Sequence, residues 1–350
     1  MKSAVDNKCP TCGANIKFNP TTQNWVCEYC GVAYDVTDLK KLQAKETKKS
    51  EKQNNNNITE YQCPNCGAIV ITDENTVATH CVYCGNTAIM KNRLQGEFKP
   101  DKLIPFKATK EEAIKAFQKN VKKRWFAPST FHNKENIEKI SGVYIPFWLY
   151  DSEIYGEISA NATKVYSWSD NDYYYTETEY YKCTRNGILK IKGLPVDGST
   201  KFKDAIMDSI EPYDYKEFVP FDKSYLSGFL AEKYDLTSDD VYERAKKRIE
   251  NTMNSKLNGT FSMYSTVNVK NKKIDIRKVE TEYALLPLWM LNIKFRGKLY
   301  QFAMNGQTKK IIGEVPVSFK KMFLKGTLCF IISAIACVWF LSLGMLMGEI

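Results

Sequence analysis

Histidine is nearly absent: of 350 residues only His80 and His132 carry an imidazole. A His-ligated metalloenzyme or a Ser-His-Asp triad depends on placed imidazoles, so neither chemistry has much to build on. No Gly-x4-Gly-Lys-Ser/Thr run occurs, which removes a phosphate-cradling nucleotide motor. The opening residues, Met1-Lys2-Ser3-Ala4-Val5-Asp6-Asn7-Lys8, hold no apolar signal-peptide core. Export is therefore not expected, and the thiols are expected to stay reduced. Paired-carboxylate catalysis stays open as a class, but nothing in the sequence singles it out. Asp170 and Asp172, and the trio Asp197, Asp204 and Asp208, fall near turns, where Asp is favoured for local reasons. No enzyme is expected on these grounds.

Cysteine, by contrast, is abundant and patterned. Eight of the eleven form two copies of one spacing, Cys9-x2-Cys12-x14-Cys27-x2-Cys30 and Cys63-x2-Cys66-x14-Cys81-x2-Cys84. Tetrahedral Zn²⁺ needs four thiolates converging at about 2.3 Å, and two Cys-x2-Cys turns supply two sulfurs each with little strain. Glycine follows every second cysteine, at Gly13, Gly31, Gly67 and Gly85, where such a turn calls for positive φ. The expectation is two Zn²⁺ ions per chain; iron is the alternative that an S4 site also accepts. A four-thiolate site leaves no coordination position for water or substrate, so the metal is expected to be structural.

The net charge of +10 invites a nucleic-acid reading, but the cysteine-rich segments do not carry it. Residues 1–35 hold Lys2, Lys8 and Lys17 against Asp6, Glu28 and Asp35, and residues 61–95 hold Lys91 and Arg93 against Asp73 and Glu74. Both are neutral. Non-specific phosphate binding comes from Lys and Arg displacing counterions, so nucleic acid is a disfavoured partner. The excess lies at 40–52, at 115–124 and before the C-terminus. On the 115–124 segment a solvated helix face and contact with anionic headgroups compete as readings.

Residues 326–348 are 23 consecutive uncharged positions preceded by Lys320, Lys321 and Lys325. About 20 apolar residues cross a bilayer as a helix, so this segment reads as a transmembrane anchor. The flanking lysines place residues 1–320 on the cytoplasmic side. The expected localisation is a single-pass membrane protein facing the cytoplasm.

Two repeats organise the rest. Cys-Pro-x-Cys-Gly-Ala opens both cysteine groups, 54 residues apart. More faintly, Tyr144-Ile145-Pro146-Phe147-Trp148-Leu149 is echoed by Leu285-Leu286-Pro287-Leu288-Trp289-Met290 at an offset of 141, which Gly156 and Gly297 also keep. Before each echo lies an expected helix. One starts at a Thr109–Glu112 capping box and runs to about Trp125, the other follows Thr237 and runs from Asp239 to about Leu257. Strands are expected in the 173–181, 187–192, 261–269 and 295–304 segments, and Asn305-Gly306 is a turn signal. Pro146 and Pro287 are read as strand entries rather than central positions.

The expected fold is α+β: two N-terminal four-cysteine zinc ribbons, a duplicated helix-plus-antiparallel-sheet body and one C-terminal transmembrane helix. The expected units are ribbon one at 1–36, a charged Asn-rich linker at 37–60, ribbon two at 61–95, body units at 96–220 and 221–319, and a basic flank with the membrane helix at 320–350.

These residues, with Gly142-Val143-Tyr144-Ile145-Pro146-Phe147-Trp148, Pro195-Val196-Asp197-Gly198-Ser199, Asp208-Ser209-Ile210-Glu211-Pro212-Tyr213 and Phe302-Ala303-Met304-Asn305-Gly306-Gln307, resemble the bacterial TFIIB-type zinc ribbon-containing membrane proteins. The resemblance covers nearly the whole chain and implies no defined activity. It leaves three uses to weigh: a membrane-anchored adaptor for an unidentified protein partner, a nucleic-acid binder working through ribbon loops, and an enzyme with a site near Trp148, Asp197 and Trp289.

Overall fold

The computed structural model describes residues 8–38, 58–73, 81–84, 86, 90–93, 99–202 and 204–347; His80, Gly85 and most of the expected linker lie outside them. Ribbon one is a three-stranded antiparallel sheet of β1 (Ile16–Asn19), β2 (Asn24–Cys27) and β3 (Ala33–Tyr34). Its inner face presents Phe18 and Trp25 to Tyr225 of the body, with ring centroids 4.9–5.2 Å apart. Trp25 Nε1 donates to the Ser224 carbonyl at 2.9 Å, and Ser227 Oγ donates to the Ile16 carbonyl at 2.5 Å. Trp25 is fully buried, so Trp25→Ala is expected to cost about 3–5 kcal/mol. Limited proteolysis checks this: ribbon one should be released early from the variant while the remainder resists.

Ribbon two is not a separate body. Its strands β4 (Ile58–Gln62), β5 (Ile69–Asp73) and β6 (Met90–Arg93) belong to an eleven-stranded sheet that runs through the molecule. The chain continues through β7 (Lys102–Leu103), α1 (Lys110–Lys122), the short α2 (Lys134–Ile137), β8 (Ser141–Ser169) and β9 (Tyr174–Asp197). After α3 (Asp204–Ile210), β10 (Val219–Pro220) and β11 (Leu230–Glu232) come α4 (Ser238–Gly259), β12 (Thr266–Phe295), β13 (Lys298–Asn305), β14 (Ile311–Gly313) and α5 (Phe319–Met347). β5 pairs antiparallel with β11, which pairs parallel with β8.

Helices α1 and α4 start as the sequence indicates. Thr109 with Glu112, and Thr237 with Asp240, form reciprocal capping boxes. Each satisfies two N–H groups that would otherwise lack partners. α1 buries Ala113, Phe117 and Val121, and ends at Lys122 rather than near Trp125. α4 buries Val241, Ala245, Ile249, Met253 and Leu257 against the sheet.

The strands depart most from expectation. β8, β9 and β12 run 29, 24 and 30 residues, whereas a typical strand has about 5–6. The 173–181 and 187–192 segments are one strand, and β12 begins at Thr266 because residues 261–265 still turn off α4. Pro146 and Pro287 are central, not strand entries. Pro146 faces Leu285 and Pro287 faces Tyr144 across the β8–β12 ladder. Each proline directs its ring nitrogen toward the edge where the neighbouring hairpin strand stops. The Pro146 carbonyl there accepts Gly198 N–H just past β9, and the Pro287 carbonyl accepts Gly306 N–H just past β13, both at 2.9 Å. No ladder partner waits for the missing proline N–H, so the usual exclusion of Pro from sheet interiors does not apply.

The same contacts recur around the two echoes. Ile145 and Leu286, equivalent by the 141-residue offset, face each other. Val143 pairs with Leu230 of β11 as Ala284 pairs with Lys102 of β7, both in parallel. Trp148 Nε1 donates to the Leu236 carbonyl and Trp289 Nε1 to the Ala108 carbonyl, each at 2.9 Å. The Gly156–Gly297 pair does not share this equivalence. Gly297 forms a hairpin turn with Arg296 at positive φ, whereas Gly156 lies mid-strand where a Cβ would collide with Met253 of α4.

Candidate metal centres

Three of the four cysteine knuckles are built by the same backbone bonds. The N–H groups of Gly13, Gly31 and Gly67 return to the carbonyls of Cys9, Cys27 and Cys63 at 2.8–2.9 Å. Those three glycines hold φ of +69° to +75°, a conformation a side chain would strain. The turns so formed bring Cys9, Cys12, Cys27 and Cys30 together in one group, and Cys63, Cys66, Cys81 and Cys84 in the other; within each group all four sulfurs lie within 4.8 Å of one another.

Two distances decide between metal and disulfide. The closest sulfurs are 3.5 Å apart in ribbon one (Cys9 to Cys30, Cys12 to Cys27) and 3.6 Å apart in ribbon two (Cys63 to Cys84, Cys66 to Cys81). A disulfide would close that gap to about 2.05 Å. The edge of a tetrahedron with 2.3 Å Zn–S bonds is about 3.8 Å, close to what is seen. All eight are free thiols, and each group can hold a metal ion with a donor set that suits zinc.

Their electrostatics are uneven in the way four crowded thiols must be. Burial works against the Cys9 thiolate, but hydrogen bonds from Tyr34 and from the Cys12 and Thr11 backbone outweigh it and bring the group down to about 6. The Ala14 N–H favours the Cys12 thiolate, yet burial and the neighbouring thiols Cys27, Cys30 and Cys9 push it up to about 12. In ribbon two, burial opposes Cys84, but Asn65 and the Asn86 backbone bring it down to about 7; burial raises Cys66 and Cys81. Four like charges cannot coexist at these separations without a cation, and a divalent ion held by the four sulfurs would replace the retained protons.

The residues that dock each centre were not visible as site residues in the sequence. Tyr34 places its hydroxyl 3.2 Å from Cys9 Sγ and 2.7 Å from Thr11 Oγ1. In ribbon two, Asn292 of β12 donates to the Val82 and Tyr83 carbonyls, both at 2.5 Å, and so clamps the second knuckle to the body. Tyr83 packs edge-on to Phe202 beside the buried Glu232, whose Oε1 accepts Ser199 Oγ at 2.7 Å. A lone Glu at the end of the apolar run Phe229-Leu230-Ala231 was the available signal.

Burial, above all, lifts Glu232 to about 8; Asp235 adds to the rise, while Tyr83, Ser199 and Lys201 oppose it. The folded chain then binds more protons than the unfolded one between roughly pH 4.5 and 8, so stability is greatest at the acid end and falls as pH rises through that window. Glu232→Gln is expected to flatten the fall, which should amount to a few kcal/mol, since each tenfold change in proton affinity is worth about 1.4 kcal/mol. Unfolding midpoints at pH 5 and pH 8 for the two proteins test it. Parallel slopes would refute it.

The three residues considered for a catalytic cleft each make a structural contact. Trp148 and Trp289 donate to loop carbonyls as described, and Asp197 Oδ1 accepts Arg244 of α4 at 2.7 Å. Arg244 also meets Asp204 at 3.0 Å and Asp208 at 2.6 Å, and Arg248 is bidentate to Glu211 at 3.1 Å. Asp197, Asp204 and Asp208 thus belong to one ion-pair network that fastens α4 to β9 and α3, whereas Asp170 does form the turn read for it, accepting the Asp172 and Tyr173 N–H groups.

α5 is long and apolar enough to cross a membrane over Phe319–Trp339, and none of that span is buried against the rest of the chain. No protein-family description and no solved structure matches the chain. One curated protein does: the uncharacterised YdjG of Bacillus subtilis strain 168 is 38% identical over 318 residues, which is 91% of this chain and 92% of that protein. The comparisons thus relate the chain to YdjG, the two four-cysteine groups stand on their own geometry, and no TFIIB-type family is shown.

Proposed function

This chain belongs to the family of Bacillus subtilis YdjG, and on that premise we propose that it is a membrane-anchored, non-catalytic adaptor in which two zinc-filled ribbons brace a body that binds a protein partner. The observation that carries the reading is the blade formed where β8, β9 and the first half of β12 run on together. Its tip leaves Tyr174 at 90%, Tyr180 at 82%, Tyr173 at 68% and Trp168 at 50% exposure. Trp168 and Tyr175 stack with centroids 5.7 Å apart. Rigid, exposed Tyr and Trp are the side chains enriched in protein interfaces, because they contribute large contact area at little cost in side-chain entropy. A strand pair continued this far from its core without a partner gains little for stability alone.

Closed four-thiolate centres support a structural role for zinc. The recurring contacts about Ile145 and Leu286 support a duplicated body, in which the two echoes arose from one helix-plus-hairpin unit. Lysines ahead of the apolar helix support a cytoplasmic body.

The test is affinity capture of the full-length chain from detergent-solubilised membranes. Trp168→Ala/Tyr174→Ala should lose a specific protein that the parent retains, at an unchanged unfolding midpoint. Cys63→Ser/Cys66→Ser serves as the comparison for a damaged body. An identical set of captured proteins from the parent and the tip variant would defeat the adaptor reading.

A further inference from the structure

We propose that the concave basic surface where α1 meets α5 binds the phosphate of an anionic phospholipid headgroup. This rests on the reading of α5 as a membrane helix. Lys122, Arg124, Trp125, His132 and Lys325 line an open cavity of about 360 Å³, and no carboxylate is among them. Among the described residues, Lys122, Arg124, Lys321 and Lys325 form no ion pair, although many other lysines of the chain do.

Two of these cations, Lys321 and Lys325, are held in place by backbone carbonyls. Ser318 N–H donates to the Phe126 carbonyl at 2.8 Å, Lys321 Nζ to the Ala127 carbonyl at 2.7 Å and Lys325 Nζ to the Trp125 carbonyl at 3.3 Å. The base of α5 is therefore tied to the loop after α1, with Lys325 Nζ 5.4 Å from the Trp125 ring centre. Lys321 and Lys325 are one helical turn apart on the same face. Lys325 is also the last charge before the uncharged run, so in a bilayer it stands at the headgroup layer. Trp125 is 76% exposed at the same level, where amphipathic rings concentrate at membrane interfaces.

Burial first, then Lys321 and Lys122, hold His132 below its ordinary range. The carbonyl end of α1 points into this region and disfavours an anion, but the effect is confined to the last turn and four lysine and arginine charges oppose it. A phosphodiester fits the geometry: the cations surround its oxygens, and the acyl chains continue along the bare face of α5. A soluble phosphate would satisfy the same cations but would leave the adjoining apolar surface uncovered.

Full-length chain in neutral detergent is the material, and retained lipid, read by native mass spectrometry, is the measurement. Phosphatidylglycerol should be retained and phosphatidylcholine should not. Lys122→Ala/Arg124→Ala should reduce phosphatidylglycerol retention roughly 30-fold, given about fivefold per basic residue near an anionic surface. Lys110→Ala/Lys115→Ala, the same charge change farther up α1, should leave retention intact. Equal retention of both lipids, or equal loss in both variants, would overturn the proposal. Saturable uptake of inorganic phosphate that phosphatidylglycerol does not displace would overturn the lipid assignment. Alkaline carbonate extraction of membranes reads the underlying premise separately: a chain that washes off was never embedded, whereas one that stays without preferring phosphatidylglycerol fails only here.

Discussion

Removing the metal from ribbon two is expected to unfold more of the molecule than removing it from ribbon one. Structural Zn²⁺ contributes roughly 10–16 kcal/mol to small ribbon-like folds, as much as the entire stability of a typical domain, so neither knuckle pair should persist without its ion. The extent of unfolding depends on how each ribbon is joined to the rest. Ribbon one makes its own three-stranded sheet and meets the body through Phe18, Trp25 and a few hydrogen bonds. Ribbon two contributes β5 to the ladder beside β11, and its knuckle carbonyls are clamped by Asn292 of β12. Cys9→Ser/Cys12→Ser should therefore free a local segment and leave the main unfolding transition nearly in place. Cys63→Ser/Cys66→Ser should expose the edge of β11 and the buried Glu232, and lower or abolish that transition. Equal midpoints for the two variants would contradict this ordering.

Arg244→Ala is expected to destabilise the chain by about 3–5 kcal/mol, the range seen when one partner of a buried ion pair is removed. Asp197 is only 1% exposed, with burial raising its carboxyl against the pull of Arg244, and its second oxygen has no hydrogen bond. Without the guanidinium it must either hold an uncompensated charge or take up a proton, while Asp204 and Asp208 repel it and each other. Arg244→Met keeps much of the packing of the aliphatic stem, and Asp197→Asn in the same chain removes the stranded charge. Denaturant midpoints should show the double variant recovering a substantial part of the loss. A single Arg244→Ala variant as stable as the parent would show that the lattice is ornamental.

Legibility from sequence followed the range of the interactions. The cysteine knuckles and both capping boxes were readable because every determinant lies within about four residues of the next. The apolar helix was readable for the same reason. The docking of ribbon one was not, since Trp25 and Tyr225 stand 200 positions apart and neither is unusual in its own neighbourhood. The prolines misled for a specific cause: Pro146 and Pro287 are central in the sheet, and only the place where β9 and β13 stop makes them tolerable. Strand length was hidden too. The outer parts of β8, β9 and β12 are exposed on both faces, so they lack the clean alternation by which half-buried strands announce themselves.

The central claim is that eight thiolates hold two metal ions inside a reduced, folded chain. Elemental analysis of the purified full-length protein, paired with a count of free thiols after chelation under denaturing conditions, tests it most directly. Close to two zinc ions per chain, with all eleven thiols of the chain recovered free, the eight of the two groups among them, is the predicted result. One ion or none, or thiols missing in pairs because they had been oxidised to disulfides, would contradict it.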